Sequence, residues 1–195
     1  MAPIHIFVWV SALLFQVGNG VSIGGWLGGY GPTTSADWAT ARRPAWLVPL
    51  GIAIWAVGLA GNIYHDDVLR AIRRDASRKK PAPKKTPVKK GRATGAAAAA
   101  AKKKKEAEGK EEKKVYAIPE GGLFGLVLYA HYFCEWVEWC GFWLVGGMAC
   151  IPARNFVLNE LATMLPRAWN GWFWYVDRFG RERIGDRKAA IPFLI

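Results

Sequence analysis

From Ile4 to Leu27 the chain carries no Asp, Glu, Lys or Arg. As a helix, such a run is long enough to cross a hydrocarbon layer of about 30 Å. That condition leaves few folds open. In lipid every backbone N–H and C=O must be satisfied within a helix or a closed barrel. The run has no basic leading region and no small-x-small cleavage site after it, so it reads as a spanning helix rather than a secretory signal. Gly18-Asn19-Gly20 makes a polar break in it. Asn19 is either a helix kink or a polar contact to a ligand inside a bundle.

Three more apolar segments follow. Trp46–Ile63 is the second span, with small residues at Gly51, Gly58, Ala60 and Gly61 that let a neighbouring helix approach. The third runs out of the Tyr116–Gly141 stretch through Phe142 to Ile151, and Pro152-Ala-Arg-Asn-Phe marks a turn. The fourth, Phe156–Trp174, is interrupted by Asn159, Glu160, Pro166, Arg167 and Asn170, and Glu160 should face protein or water. The reading is an all-α integral membrane protein with about four transmembrane helices. Gly28–Pro44 is a loop carrying Asp37, Trp38, Arg42 and Arg43; Trp38 and Trp46 suit a membrane interface.

The formal net charge of +12 suggests a nucleic-acid binder until it is located. Eighteen Lys/Arg and five Asp/Glu fall between Arg70 and Lys114, and the rest of the chain is near neutral. The basicity belongs to one insert, so no nucleic-acid partner follows from it. Residues 77–114 are Lys-, Ala- and Pro-rich with no apolar face, which predicts disorder. They separate residues 1–76 from residues 115–195. By the positive-inside rule the insert is cytoplasmic, and with four crossings both termini are too. It is suited to contact acidic lipid. Cys134, Cys140 and Cys150 are odd in number and lie in apolar surroundings, which reads as buried free thiols.

Two stripes carry the chemistry. Tyr116–Gly141 enters through Ile118-Pro119, turns on Gly121-Gly122 and then stays apolar except for His131, Glu135 and Glu138. Those three share one helical face among Phe124, Tyr129, Tyr132, Phe133, Trp136 and Trp139. Carboxylates there are costly unless paired, hydrated or used. The second stripe is Asn62, Asp66, Arg70 and Arg73 at i, i+4, i+8 and i+11. It reads either as a nucleotide site, with guanidiniums for phosphate, or as an interfacial helix end with snorkelling Arg and an Asp66–Arg70 pair. No metal site is assigned, since oxygen-ligand sites usually recruit more than three groups. No strand-borne Gly-rich loop is present, so a bound nucleotide is held by helix side chains.

Asn62-Ile-x-x-Asp66-x-x-Leu-Arg70, Ile-Pro-x-Gly-Gly-Leu-Phe-x-x-Val, Tyr-Phe-x-Glu135-x-x-Glu138-Trp139 and the terminal Trp-Tyr175…Phe179…Arg187-Lys-x-x-Ile-Pro-Phe stand in that order. Together they resemble the C-terminal portion of the steroid 5α-reductase family, the 3-oxo-5α-steroid 4-dehydrogenase domain. The resemblance covers most of the chain outside the insert. It implies the C-terminal part of a seven-helix reductase fold in the endoplasmic-reticulum membrane. The implied reaction is hydride transfer from NADPH to the β-carbon of an α,β-unsaturated ketone in a steroid or related lipid, with the oxygen stabilised as an enolate. By the same resemblance Asn62, Asp66, Arg70, Arg73, His131, Glu135, Tyr175 and Arg187 contact the cofactor, and Glu138 is a cofactor contact or a structural partner. His131 stands where the family usually has Asn, and Gly171 where a histidine is expected. The catalytic Tyr/Glu pair is expected in an N-terminal portion that this chain lacks, as a truncated chain would. The alternative is an inactive membrane protein of the same fold, serving as a scaffold or a lipid-interacting module.

Overall fold

The computed structural model describes residues 5–40, 44, 46–78 and 116–195. Arg42, Arg43 and most of the basic insert lie outside the described residues. Within them the chain is helical. Helix α1 is Ile6–Gly25, running into a wider π-helical turn at Trp26–Tyr30. Helix α2 is Ser35–Thr40 and α3 is Leu47–Arg78. A 3-10 turn at Gly122–Gly125 leads to α4, Ala130–Gly146. Helix α5 is Ile151–Phe179 and α6 is Arg181–Ile184.

Several boundaries differ from the sequence reading. Helix α1 passes through Gly18-Asn19-Gly20 without a break, and the kink comes later, at Gly29. Glycine weakens a helix but does not end it when flanking apolar residues continue the turn. The 28–44 loop contains α2, because Thr34 and Asp37 form a reciprocal N-terminal cap: Asp37 N–H donates to Thr34 Oγ1 at 3.1 Å and Thr34 N–H donates to Asp37 Oδ2 at 2.9 Å. Trp46–Ile63 is the first part of α3, a rod of about 48 Å that also carries the polar stripe. The third segment stops at Gly146, the chain turns through Gly147–Cys150, and Pro152 sits in the first turn of α5, where its missing N–H costs nothing. The fourth segment extends in both directions to become α5, with Pro166 inside it.

By length and hydropathy two helices among the described residues can cross a membrane, Ile6–Tyr30 and Leu47–Ala76. Helix α4, at about 26 Å, falls short of the layer alone. Helix α5 is long enough but carries Arg154, Glu160, Arg167, Asp177 and Arg178.

The closest seam joins α3 to α4. A Cβ on Gly58 would collide with the Glu138 backbone, one on Gly141 with the Trp55 backbone, and one on Gly51 would lie 2.9 Å from the Gly141 carbonyl oxygen. Gly61 faces Cys134 Sγ. Three of the four small residues singled out on α3 therefore face α4; Ala60 is exposed instead, because the helical turn carries it off the seam. Gly141 on the opposing helix was not anticipated. Cys134 and Cys150 are buried and Cys140 is partly buried, all as free thiols. Helix α1 contributes no buried residue and meets α5 through Phe15 and Phe156, whose rings stack 5.7 Å apart.

Candidate functional site

The turn before α4 brings the site together. Gly121 and Gly122 have φ of +96° and +54°, a region that favours glycine. His65 on α3 sits beneath them, 4 % exposed. Leu123 N–H donates to His65 Nε2 at 3.0 Å, so the other ring nitrogen carries the proton and Nδ1–H donates to the Gly61 carbonyl at 2.6 Å. A Cβ on Gly122 would stand 2.8 Å from that Nε2. Phe124, Val127 and Ala130 are fully buried beside Val68 and Leu69, and burying a side chain such as Phe124 contributes about 1.5–3 kcal/mol. His65 thus fixes the turn to α3. Its spacing of four from Gly61 is the one local hint of a helix-capped ring.

The tail completes the frame. Lys188 N–H donates to the Leu126 carbonyl at 2.8 Å, Leu128 N–H to the Lys188 carbonyl at 2.9 Å, and Tyr129 N–H to the Ala189 carbonyl at 2.9 Å. Ala189 and Ala190 then pack with Tyr132, Trp136 and Ala168. Trp172 Nε1–H on α5 donates to the Arg187 carbonyl at 2.9 Å. Two motifs about sixty residues apart are one hydrogen-bonded unit.

On this frame the predicted residues divide into groups. Asn62 hydrogen-bonds the Glu138 side chain across the α3–α4 seam, which gives Glu138 a structural partner. His131 lies within electrostatic reach of Asp66, Arg73, His65 and Arg167, and Tyr175 within reach of Arg73. Glu135 is in reach of Glu160, Glu138 and Asp66. Helices α3, α4 and α5 therefore bring Asp66, Arg73, His131, Glu135 and Tyr175 to one region. Arg70 points to the surface, pairing with Asp66 at 3.1 Å and Asp67 at 3.2 Å, both exposed contacts of small energetic weight. Arg187 lines a cavity of about 410 Å³ with Tyr116, Ile118, Glu120, Phe179 and Arg183, and the Phe179 ring stacks 5.8 Å from that of Tyr175.

One residue was missed, and one expectation was met. Arg167 reaches Tyr129, Tyr132 and His131 electrostatically; in the sequence it appeared only as an interruption of a span. Glu160 faces α4, 7 % exposed, as a carboxylate in an apolar span requires. Among the described residues, His131 Nδ1 and Glu160 Oε2 are buried without a hydrogen-bond partner. Orphaned polar atoms among convergent charged groups and aromatic rings suit a polar ligand with a flat ring. Asn19 lines a separate cavity of about 600 Å³ between α1 and α5, with Ser22, Asn155 and Asn159.

The family model described as 3-oxo-5-alpha-steroid 4-dehydrogenase matches residues 2–86 and 100–195. The chain is similar to the protein named uncharacterized protein C9.08c of Schizosaccharomyces pombe, at 34 % identity over all of this chain and 59 % of that protein. It is similar to 3-oxo-5-alpha-steroid 4-dehydrogenase 1 of Mus musculus, at 31 % identity over 99 % of this chain and 58 % of that protein. Similarity to steroid 5-alpha-reductase DET2 of Solanum lycopersicum is 26 % over 98 % of this chain and 57 % of that protein. The chain thus spans just under three fifths of the length of these relatives.

Proposed function

The chain belongs to the 3-oxo-5-alpha-steroid 4-dehydrogenase family, and from that premise we propose that it forms the cofactor-binding part of a membrane-bound, NADPH-dependent steroid or lipid enone reductase. The observation that carries the reading is that Asp66 and Arg73 of α3 both lie within electrostatic reach of His131, whose Nδ1 is buried with no hydrogen-bond partner among the described residues, while Asp66 also reaches Glu135 and Arg73 also reaches Tyr175. When bound, NADPH supplies a hydride to a carbon–carbon double bond conjugated to a carbonyl. The residues bind and orient it. Arg73, with Arg70 at the surface and the partly buried Arg187, suits phosphate; Asn62, Asp66 and Glu135 suit sugar hydroxyls or the carboxamide; His131 Nδ1 offers a further hydrogen bond; Tyr175 and its aromatic neighbours flank a flat ring. Membership in this family, with two helices able to span, supports a multi-pass endoplasmic-reticulum protein whose basic insert is cytoplasmic. The charge of that insert suits it to touch acidic lipid.

The test is thermal unfolding of detergent-purified protein with and without NADPH. Saturating NADPH raises the melting temperature, as a ligand of the folded state must, and Arg73→Ala or Glu135→Ala reduces the shift. An unmoved transition in the unsubstituted protein would leave the scaffold reading in its place.

A further inference from the structure

We propose that Tyr129 is a ligand-positioning residue whose hydroxyl, projected from the head of α4, supplies the polar group that Gly171 lacks on the site-facing stripe of α5. The inference rests on the NADPH reading above and adds a specific residue to it. Arg167, Gly171 and Tyr175 are spaced by four along α5 and share one face. The outer two carry polar tips; the middle one carries no side chain. A Cβ on Gly171 would collide with the Tyr129 hydroxyl and lie 2.5 Å from its Cζ and 2.8 Å from its Cε2, so the phenol occupies that notch.

The ring is held there by its surroundings. Its centroid stands 5.2 Å from that of Tyr132, 5.9 Å from His131 and 6.4 Å from Tyr175. Arg167 and Tyr175, the two neighbours of Gly171 on the stripe, are both within its electrostatic reach. Its backbone is tied down on both sides, since its N–H donates to the Ala189 carbonyl at 2.9 Å and its carbonyl accepts from Tyr132 N–H at 3.0 Å. The residue is only partly buried, which leaves part of the ring accessible. A phenol both donates and accepts, and from this position its hydroxyl stands between Arg167 and Tyr175 to orient a neutral hydrogen-bonding group of the dinucleotide. A plain space-filler would need the ring but not the hydroxyl.

Tyr129→Phe separates the two roles, because it keeps the plug and removes one oxygen. In the full chain in detergent, the variant is expected to melt like the unsubstituted protein without ligand, yet to bind NADPH about tenfold more weakly, as loss of one good hydrogen bond predicts. Tyr129→Ala is expected to weaken binding at least as much, and Tyr129→Ala with Gly171→His, which returns a polar tip to α5 itself, to recover most of the affinity. If Tyr129→Phe binds NADPH as tightly as the unsubstituted protein while Arg73→Ala does not, the hydroxyl has no positioning role and the inference falls alone. If the unsubstituted protein binds no NADPH, both readings fall.

Discussion

Two seams meet on α4, each shaped by glycine and filled in opposite ways. Against α3, the space left by Gly51, Gly58 and Gly141 is taken by backbone, so two helices close to near contact. Against α5, the space left by Gly171 is taken by the hydroxyl end of Tyr129, and the helices stand apart with aromatic rings and charged groups between them. The difference shows what each seam is for. Backbone cannot yield to an added atom, so the first seam is a rigid mount. A side chain can be exchanged, so the second seam can change its chemistry without changing the fold.

The largest expected effect therefore lies in the first seam. Gly58→Leu or Gly141→Leu should cost about 3 kcal/mol or more, because a side chain meeting backbone forces the helices apart. Tryptophan-monitored unfolding in detergent reads this directly; a near-native transition would mean that the seam is looser than described. Next comes the bolt between the seams. His65→Leu leaves Leu123 N–H without its acceptor, at a cost of roughly 1–3 kcal/mol, and should loosen the Gly121–Leu126 amides in hydrogen exchange before the α3 amides. In the second seam, Trp172→Phe removes the bond to the Arg187 carbonyl and keeps most of the ring, a loss of about 1 kcal/mol. Exchange at Leu128 and Tyr129 should quicken; if it does not, the Trp172 bond has no part in holding the tail.

The smallest effect falls outside both seams. Hydrogen bonds from Thr34 and Thr33 hold the Asp37 carboxyl below the ordinary aspartate range. A lowered folded-state value means the contribution is present above the unfolded value and lost as pH falls through the folded one. Amides of α2 should exchange faster, relative to those of α3, as pH drops through that window, and Asp37→Asn should abolish the difference.

Much of the mount was legible in the residues. Gly51, Gly58 and Gly61 recur on one side of a helix, and the Gly121-Gly122 pair stands where a chain must turn sharply into α4. The stripe from Asn62 to Arg73 follows from helical spacing, and the structure keeps it on one unbroken rod. Other features were not legible. Asn19 reads as a helix kink or a polar ligand contact because the local glycines suggest a break, yet its helix continues. Arg167 looked like an obstacle to a membrane span, since its usefulness depends on which residues of α4 it faces. The Lys188 bridge to Leu126 and Leu128 joins segments sixty residues apart, and no local pattern announces such a pairing.

By itself the sequence determined the helical class, the confinement of the excess positive charge to one stretch, the two polar stripes and the family. Each of these follows from short-range periodicity, composition or ordered motifs. Only the tertiary structure decided that His65 anchors the glycine turn, that Glu138 is paired with Asn62, and that Tyr129 fills the notch at Gly171 on another helix. The reason is physical: helix spacing says which residues share a face, but the partner each face meets is chosen by packing between segments far apart in the chain.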